Sequence, residues 1–560
     1  MFKLKLSWLP VVLGLSLTAA SCAAAPSGNT STPRASSPEK TAIGSPDGRP
    51  LQKSAAPVLL AKDGKGQLSI VIAMNSSKET KAVADELSAT LEKITGAKFE
   101  VQNGEVKNGQ LPDGIILGTL KEFPVASLQQ PLAIHEIYDG REAFAIRSLP
   151  NKVLLLGATD LGAGHAAYRF LELLGCRWFF MSPAWTVIPS ISNLQFDLNE
   201  TTRPRVLARD IWFNYGIPNE NGRGVQDENA WKRHNRMGQS FIIYASHQLP
   251  NIVLANKKEF DAHPEYYALW QGKRQSWQME LANPVVRKMA VDFALNFLKN
   301  VHPEFDMVSM EPGDGPGFSE SEESRALGSI SDRTFGLANE VARAVKKEFP
   351  GKMVGVLAYY QHADPPSFKL EPNVYVALAA GYNESRLSFE QQMEEWPKHS
   401  ANRGIYEYLS MYPWGQDRIR EIGSVGPAAS VPGLSARLRR YINWGMKGLS
   451  AESAANFGQY GPGYYAALRV LWDPKTDVPA LMNDFYEKAF GPAAPAMKRY
   501  YERLDPASGR LFGPDLLARL YRDLDEASTL AAARPDVLAR LDQLKEYLHF
   551  NTIRTFAQQP

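Results

Sequence analysis

The run Asp306-Met307-Val308-Ser309-Met310-Glu311-Pro312-Gly313-Asp314-Gly315 is a short apolar stretch that stops at two carboxylates in a Gly/Pro turn. A buried parallel strand reads this way, because both of its faces are covered. Barrel active sites form where such strands end. A second run, 404–409, carries Glu407 between Tyr406 and Tyr408. Cleaving a glycosidic bond needs a proton for the leaving oxygen and negative charge against the developing oxocarbenium ion. Two carboxylates from different strand ends suit that chemistry. On this reading Glu311 is the general acid and Glu407 the nucleophile or electrostatic stabiliser. Asp314 orients a substituent or supplies the proton itself. Glu452, in Ser450-Ala451-Glu452-Ser453, is a further strand-end acid. Any one of these acids alone reads better as a salt bridge or a turn cap; several together favour a site.

Aromatic side chains gather near the same ends, among them Trp212, Tyr359, Tyr406, Tyr408 and Trp414. Apolar sugar faces stack on such rings, although packing between a barrel and its loops accounts for part of the cluster. His247 and His362 follow apolar runs and can hydrogen-bond sugar hydroxyls. No pair of histidines shares a helix face in the way a zinc-protease motif requires. The two cysteines, Cys22 and Cys176, exclude a cysteine-ligated metal site. No cofactor or metal is expected.

The elements that must position these residues follow one rhythm. From about residue 205 strand-like runs at 206–213, 241–247, 277–282, 306–311, 353–360, 373–379, 404–409 and 447–452 alternate with helical patterns. Eight strands alternating with helices predict a (β/α)8, TIM-like barrel over 201–473. Residues 57–200 read as a small α/β domain, with strands near 68–73, 99–101 and 114–118. Helices are expected at 78–94 and 160–174, and a hairpin joins 142–147 to 152–157. The glycine-rich stretch 157–164 has neither a Walker lysine nor dinucleotide spacing, and reads as a tight strand-to-helix turn. From 474 to 560 only helical patterns remain.

The chain has 560 residues, 62 basic and 60 acidic. Near-neutral charge without a basic stripe argues against a nucleic-acid partner. Lys3 and Lys5 precede an apolar core at 8–17 and the small residues Ala19-Ala20-Ser21 before Cys22. That pattern predicts a signal peptide over 1–22 with lipidation of Cys22, the alternative being cleavage near Ala25. The Ser/Pro/Ala-rich stretch 23–56 then reads as a tether. A bacterial cell-envelope lipoprotein, periplasmic or surface-anchored, touching membrane only through its lipid, is the expected address.

Several motifs together resemble the bacterial family called domain of unknown function 4838. They are Gly162-Ala163-Gly164-His165 through Gly175-Cys176-Arg177-Trp178, Arg209-Asp210-Ile211-Trp212, His263-Pro264-Glu265-Tyr266-Tyr267, Ser309 to Gly315, Ala451-Glu452-Ser453 and Leu471-Trp472-Asp473-Pro474. Some of that group are classed as glycoside hydrolase family 163, similar to endo-β-N-acetylglucosaminidases. The first domain is similar to the one preceding the barrel in hexosaminidases and α-glucuronidases. The resemblance implies a carbohydrate-active barrel acting on an N-acetylhexosamine- or uronate-containing glycan. It carries forward Glu311, Asp314, Glu407 and Glu452, with Asp210 as a substrate-binding candidate beside Trp212. One departure stands out: serines occupy 319, 321 and 324, where family members often carry cysteines. The rival readings are a non-catalytic glycan-binding lipoprotein and a polysaccharide lyase.

Overall fold

The computed structural model describes residues 44–135, 138–215, 223–238, 240–409, 430–454, 457–505 and 514–557. Two sheets organise them. The first has eight strands in the order Lys65–Gly66, Gln52–Lys62, Leu194–Thr202, Phe144–Leu149, Lys152–Gly157, Gly114–Thr119, Ile70–Ile72 and Val101–Asn103. Helices Lys78–Thr95 and Asp160–Leu173 bury Leu87, Leu91, Phe170 and Leu171 against Ile70, Ile115 and Leu155 of that sheet. Ser77 and Thr159 cap the two helices, each side chain accepting a backbone N–H of the first turn. Gly157 permits the turn between strand and helix, since a Cβ there would lie 2.0 Å from the Ala163 nitrogen. The strand Gln52–Lys62 begins inside the stretch read as tether and pairs with Leu194–Thr202. Composition missed it because Gln52, Lys53 and Val58 are ordered by partners at 196–199, far along the chain.

The second sheet has six parallel strands: Ala208–Tyr215, Gly448–Ala454, Asn402–Leu409, Val374–Asn383, Met353–Tyr360 and Met307–Ser309. It is curled into a half-barrel, with its first strand beside its last, Ala208 opposite Gly448. Successive side chains alternate between its faces. Val308, Val354, Val376, Ile405 and Leu449 pack outward with Phe335, Val341, Leu438 and Tyr441 of the covering helices. Ala208, Met307, Met353, Leu357, Tyr375 and Ala377 fill the inside. The C-terminal helices Val478–Phe490, Ala494–Leu504, Pro514–Leu530 and Pro535–Ala557 join the outer core through Phe485, Tyr500 and Leu520.

Two of the expected strands take other forms. Residues 240–248 run between Ala208–Tyr215 and Met307–Ser309 without forming a ladder. The Ser240 N–H donates to Leu207 O, 2.7 Å, and the Gln248 N–H to Glu311 O, 2.9 Å. Between them Ser309 Oγ donates to Ser246 O, 2.6 Å, so a side chain does part of what a backbone pair would do. The run expected at 277–282 lies instead at Lys273–Met279, paired antiparallel with Tyr267–Trp270 in a separate hairpin. An apolar, aromatic run signals a strand but not its partner.

Buried charges join the two sheets. Arg209 and Glu142, both fully buried, form an ion pair. Glu142 also accepts from Ser240 Oγ, 2.7 Å, and His165 Nε2, 2.8 Å. Burial alone would raise this carboxyl, but Arg209 and His165 outweigh it and hold it at about 2. Cys176 is a buried free thiol, which burial pushes up to about 12, as an inert core residue requires.

Candidate active site at the mouth of the half-barrel

Alternation along the strands decides which acids face inward. On Asn402–Leu409, Tyr406 and Tyr408 lie on one face and Glu407 on the other. Tyr406 donates to Glu452 Oε2, 3.2 Å, and its ring meets Trp212 edge-on at 6.4 Å. Trp212 in turn donates its indole N–H to Ser450 Oγ, 3.1 Å. Glu452 and Trp212 are register partners on neighbouring strands. Glu452, Ser450, Tyr406 and Trp212 therefore share the inner face. Tyr382 and Tyr408 stack edge-on at 5.1 Å and continue it. Burial first, then Tyr406, Tyr359, Glu452 and Tyr382 around it, push the Tyr408 phenol far above its usual range.

The opposite rim is the loop after Met307–Ser309. Asp314 stands two-thirds exposed on it and accepts from the Tyr359 hydroxyl, 2.9 Å. Burial, then the hydrogen bond and charge of Asp314, raise the Tyr359 phenol. The His247 Nδ1 lies 2.7 Å from Pro312 O, and a carbonyl only accepts, so Nδ1 carries the proton. Its Nε2 then turns toward Asp314 Oδ1 at 3.7 Å. Asp314, Tyr359 and His247 thus meet at one point, with His247 and Tyr359 rings 5.9 Å apart.

Glu311 is fully buried just behind this rim. Its Oε2 accepts the Leu357 N–H, 2.8 Å, and its Oε1 pairs with His362 Nε2, 2.9 Å. The carboxylate so ties the end of one strand to the next strand and to the turn beyond it. His362 is spent on this pair and is buried with it, its Nδ1 having no hydrogen-bond partner among the described residues. Asp210 lies on the strand carrying Trp212, with Lys232 Nζ 3.4 Å from its carboxylate.

Glu407 is not brought to this mouth. Its side chain lies beneath the helix Val431–Trp444, where it accepts from Tyr441 Oη, 2.9 Å, and Arg437 Nε, 3.3 Å. Burial raises its carboxyl above the usual range, and Arg437 and Tyr441 reverse only part of that. Period-2 geometry is the physical reason: one step along the strand moves a side chain to the other face. Trp414 and Cys22 lie outside the described residues.

Sequence reasoning did not single out the hairpin beside the Asp314 loop. Gln278 exchanges hydrogen bonds with Gly313, its Nε2 donating to Gly313 O at 2.8 Å and its Oε1 accepting from Gly313 N at 3.2 Å. Glu280, nearly fully buried, accepts from Ser319 Oγ at 2.5 Å and from Ser324 Oγ. Ser319 and Ser324 therefore hold this loop to the hairpin through one shared carboxylate. A glutamate that follows a polar strand gives no sequence signal of that role.

A curled parallel sheet with an α/β sheet before it and helices after it, presenting acids and aromatics at its strand ends, belongs to the broad class of α/β half-barrel folds. A family model described as domain of unknown function (DUF4838) matches residues 180–502, and the chain belongs to that family. Among solved structures it is similar to a family GH115 4-O-methyl-α-glucuronidase, BtGH115A, described as specific for decorated arabinogalactans. Identity is 14%, the TM-score is 0.56, and the match covers 88% of this chain and 73% of that one. A β-N-acetylhexosaminidase from Bacteroides fragilis NCTC 9343 matches at 12% identity and TM-score 0.47, over 82% of this chain and 96% of that one. At these identities the GH115 likeness is one of fold. No curated protein matches the chain.

Proposed function

We propose that this protein hydrolyses glycosidic bonds in a complex glycan containing N-acetylhexosamine or uronate residues. The observation that carries the reading is the composition of the mouth: Asp314 on its rim loop, Glu452 on the inner face, and the rings of Tyr359, Tyr408, Tyr406 and Trp212 beside them. The likeness of fold to the GH115 glucuronidase supports it. In this assignment Asp314, fixed by Tyr359, sets negative charge against the oxocarbenium ion or orients a substituent. Glu452 is the proton donor, and Trp212 and Tyr406 form the sugar-facing floor. Glu311 holds the acid-bearing loop in place from behind. Fold alone does not establish activity, so the assignment rests on the site.

The test is product release from a panel of complex N-glycans, glycosaminoglycans and glucuronoxylan by wild type, Asp314→Asn, Glu452→Gln and Glu311→Gln. Loss of a general acid lowers turnover by about 10²–10⁴-fold. Glu452→Gln should show that loss on the natural glycan and far less on a nitrophenyl glycoside, whose leaving group needs no proton. Asp314→Asn should lose on both. Unchanged turnover in both variants sinks the assignment, and a loss confined to Glu311→Gln returns the acid role to Glu311. Binding of one glycan with no product from any would favour a capture protein.

A further inference from the structure

We propose that the hairpin formed by Tyr267–Trp270 and Lys273–Met279 carries a sugar-stacking subsite, with the Trp277 indole as its platform. This rests on the glycosidase reading of the adjoining mouth and extends it to the glycan beyond the bond that is cut. Trp277 is 38% exposed, unusual for so large an aromatic side chain. It is nevertheless fixed. Its indole N–H donates to Pro316 O, 3.2 Å, on the loop that bears Asp314. A Cβ on Gly317 would lie 3.4 Å from the indole Cζ2 and Nε1, so the ring rests against the backbone of that loop. Gly317 has φ +115°, a conformation that favours glycine.

The ring is held in place from several directions. Gln278, the next residue, is paired with Gly313 in both directions. Leu269 O accepts the Glu320 N–H, 2.6 Å, and Glu280 takes both serine hydroxyls. The hairpin and loop 312–324 are thereby one bonded piece that carries both Trp277 and Asp314. With its N–H already bonded to Pro316 O, the partly exposed indole offers a ligand its carbon surface. The C–H face of a pyranose is the complementary surface, and a rigid ring loses little entropy on binding it. Lys273, exposed on the same strand as Trp277, suits a hydroxyl or carboxylate group on a neighbouring sugar.

The experiment compares wild type, Trp277→Ala and Trp277→Phe on short and long oligosaccharides from complex N-glycans and glucuronoxylan. Calorimetry reads binding, product release reads turnover, and thermal melts check the fold. For Trp277→Ala, binding of the long oligosaccharide should weaken about tenfold, with KM rising accordingly and kcat within about threefold, while Trp277→Phe lies between. A long oligosaccharide bound but not cleaved by wild type, and bound more weakly by the alanine variant, would support the platform while removing the hydrolase. Wild-type cleavage with unchanged KM in Trp277→Ala would overturn the platform and leave the hydrolase standing. A loss of kcat alone would also overturn it, since the ring would then only position Asp314. Binding of no panel glycan by wild type would overturn both.

Discussion

Replacing Glu407 by glutamine tests whether strand alternation has been read correctly. The exchange preserves shape, so Tyr441 keeps an acceptor. What disappears is the charge facing Arg437 at 3.3 Å. A hydrogen bond involving a charged group contributes about 1.5–3 kcal/mol. Arg437 is 16% exposed, so water recovers part of that. The neutral amide also avoids the cost that burial places on the carboxylate. The net loss at neutral pH is therefore expected to stay below about 2 kcal/mol. Alanine would leave Arg437 and Tyr441 facing a hole and cost about 3–5 kcal/mol. The pH dependence has a definite sign. Folding raises the Glu407 carboxyl, so the folded chain holds this proton more tightly than the unfolded chain. The contribution is complete at low pH and is lost as pH climbs from the unfolded value of about 4.3 through the higher folded one. Glutamine does not titrate, so the stability difference should move in its favour across that window and stay flat above it. Urea unfolding at a series of pH values gives the stability, and turnover on the glycan cleaved by wild type gives the activity. A loss in kcat beyond about 100-fold at an unchanged unfolding midpoint would place Glu407 against substrate and refute its outward assignment.

Ser319→Ala and Ser324→Ala should each cost about 1.5–3 kcal/mol in urea unfolding, because each leaves a buried carboxylate short of a donor. The double variant should depart from the sum, since both serines serve Glu280. Glu142 predicts a separate acid limb. Held at about 2 when folded, it contributes stability that is complete above its unfolded value and lost as pH falls toward 2. That limb is worth about 3 kcal/mol, and Glu142→Gln should remove it from the profile while lowering stability at neutral pH.

Strand existence was legible where the run was long and apolar. Met353–Tyr360, Val374–Asn383, Asn402–Leu409 and Gly448–Ala454 lie within a few residues of their expected positions. The apolar residues of 241–247 look the same in sequence, yet this segment is held by Ser309, Asp306 and Glu311 rather than by a ladder. Which face an acid occupies was not legible for Glu407. Ile405, Tyr406, Tyr408 and Leu409 are apolar or aromatic on both sides of the strand, so the pattern has no polar face to set the register. Nor does the sequence reveal that Glu311 is closed off by Leu357 and His362. Those partners come from the neighbouring strand and its following turn, and the curl of the sheet brings them close.

The order of the parallel sheet also governs when it can form. Ala208–Tyr215 is made early, yet its ladder partner is Gly448–Ala454, the last strand of the sheet to leave the ribosome. Contacts so distant in sequence form slowly. A chain halted before residue 448 leaves Ala208–Tyr215 without its ladder and one side of Asn402–Leu409 bare as well, because Gly448–Ala454 pairs with both. Two open edges of that kind are templates for pairing between chains. Nascent or truncated forms of this protein are thus the ones most exposed to aggregation, and the arrival of a single strand removes both edges at once.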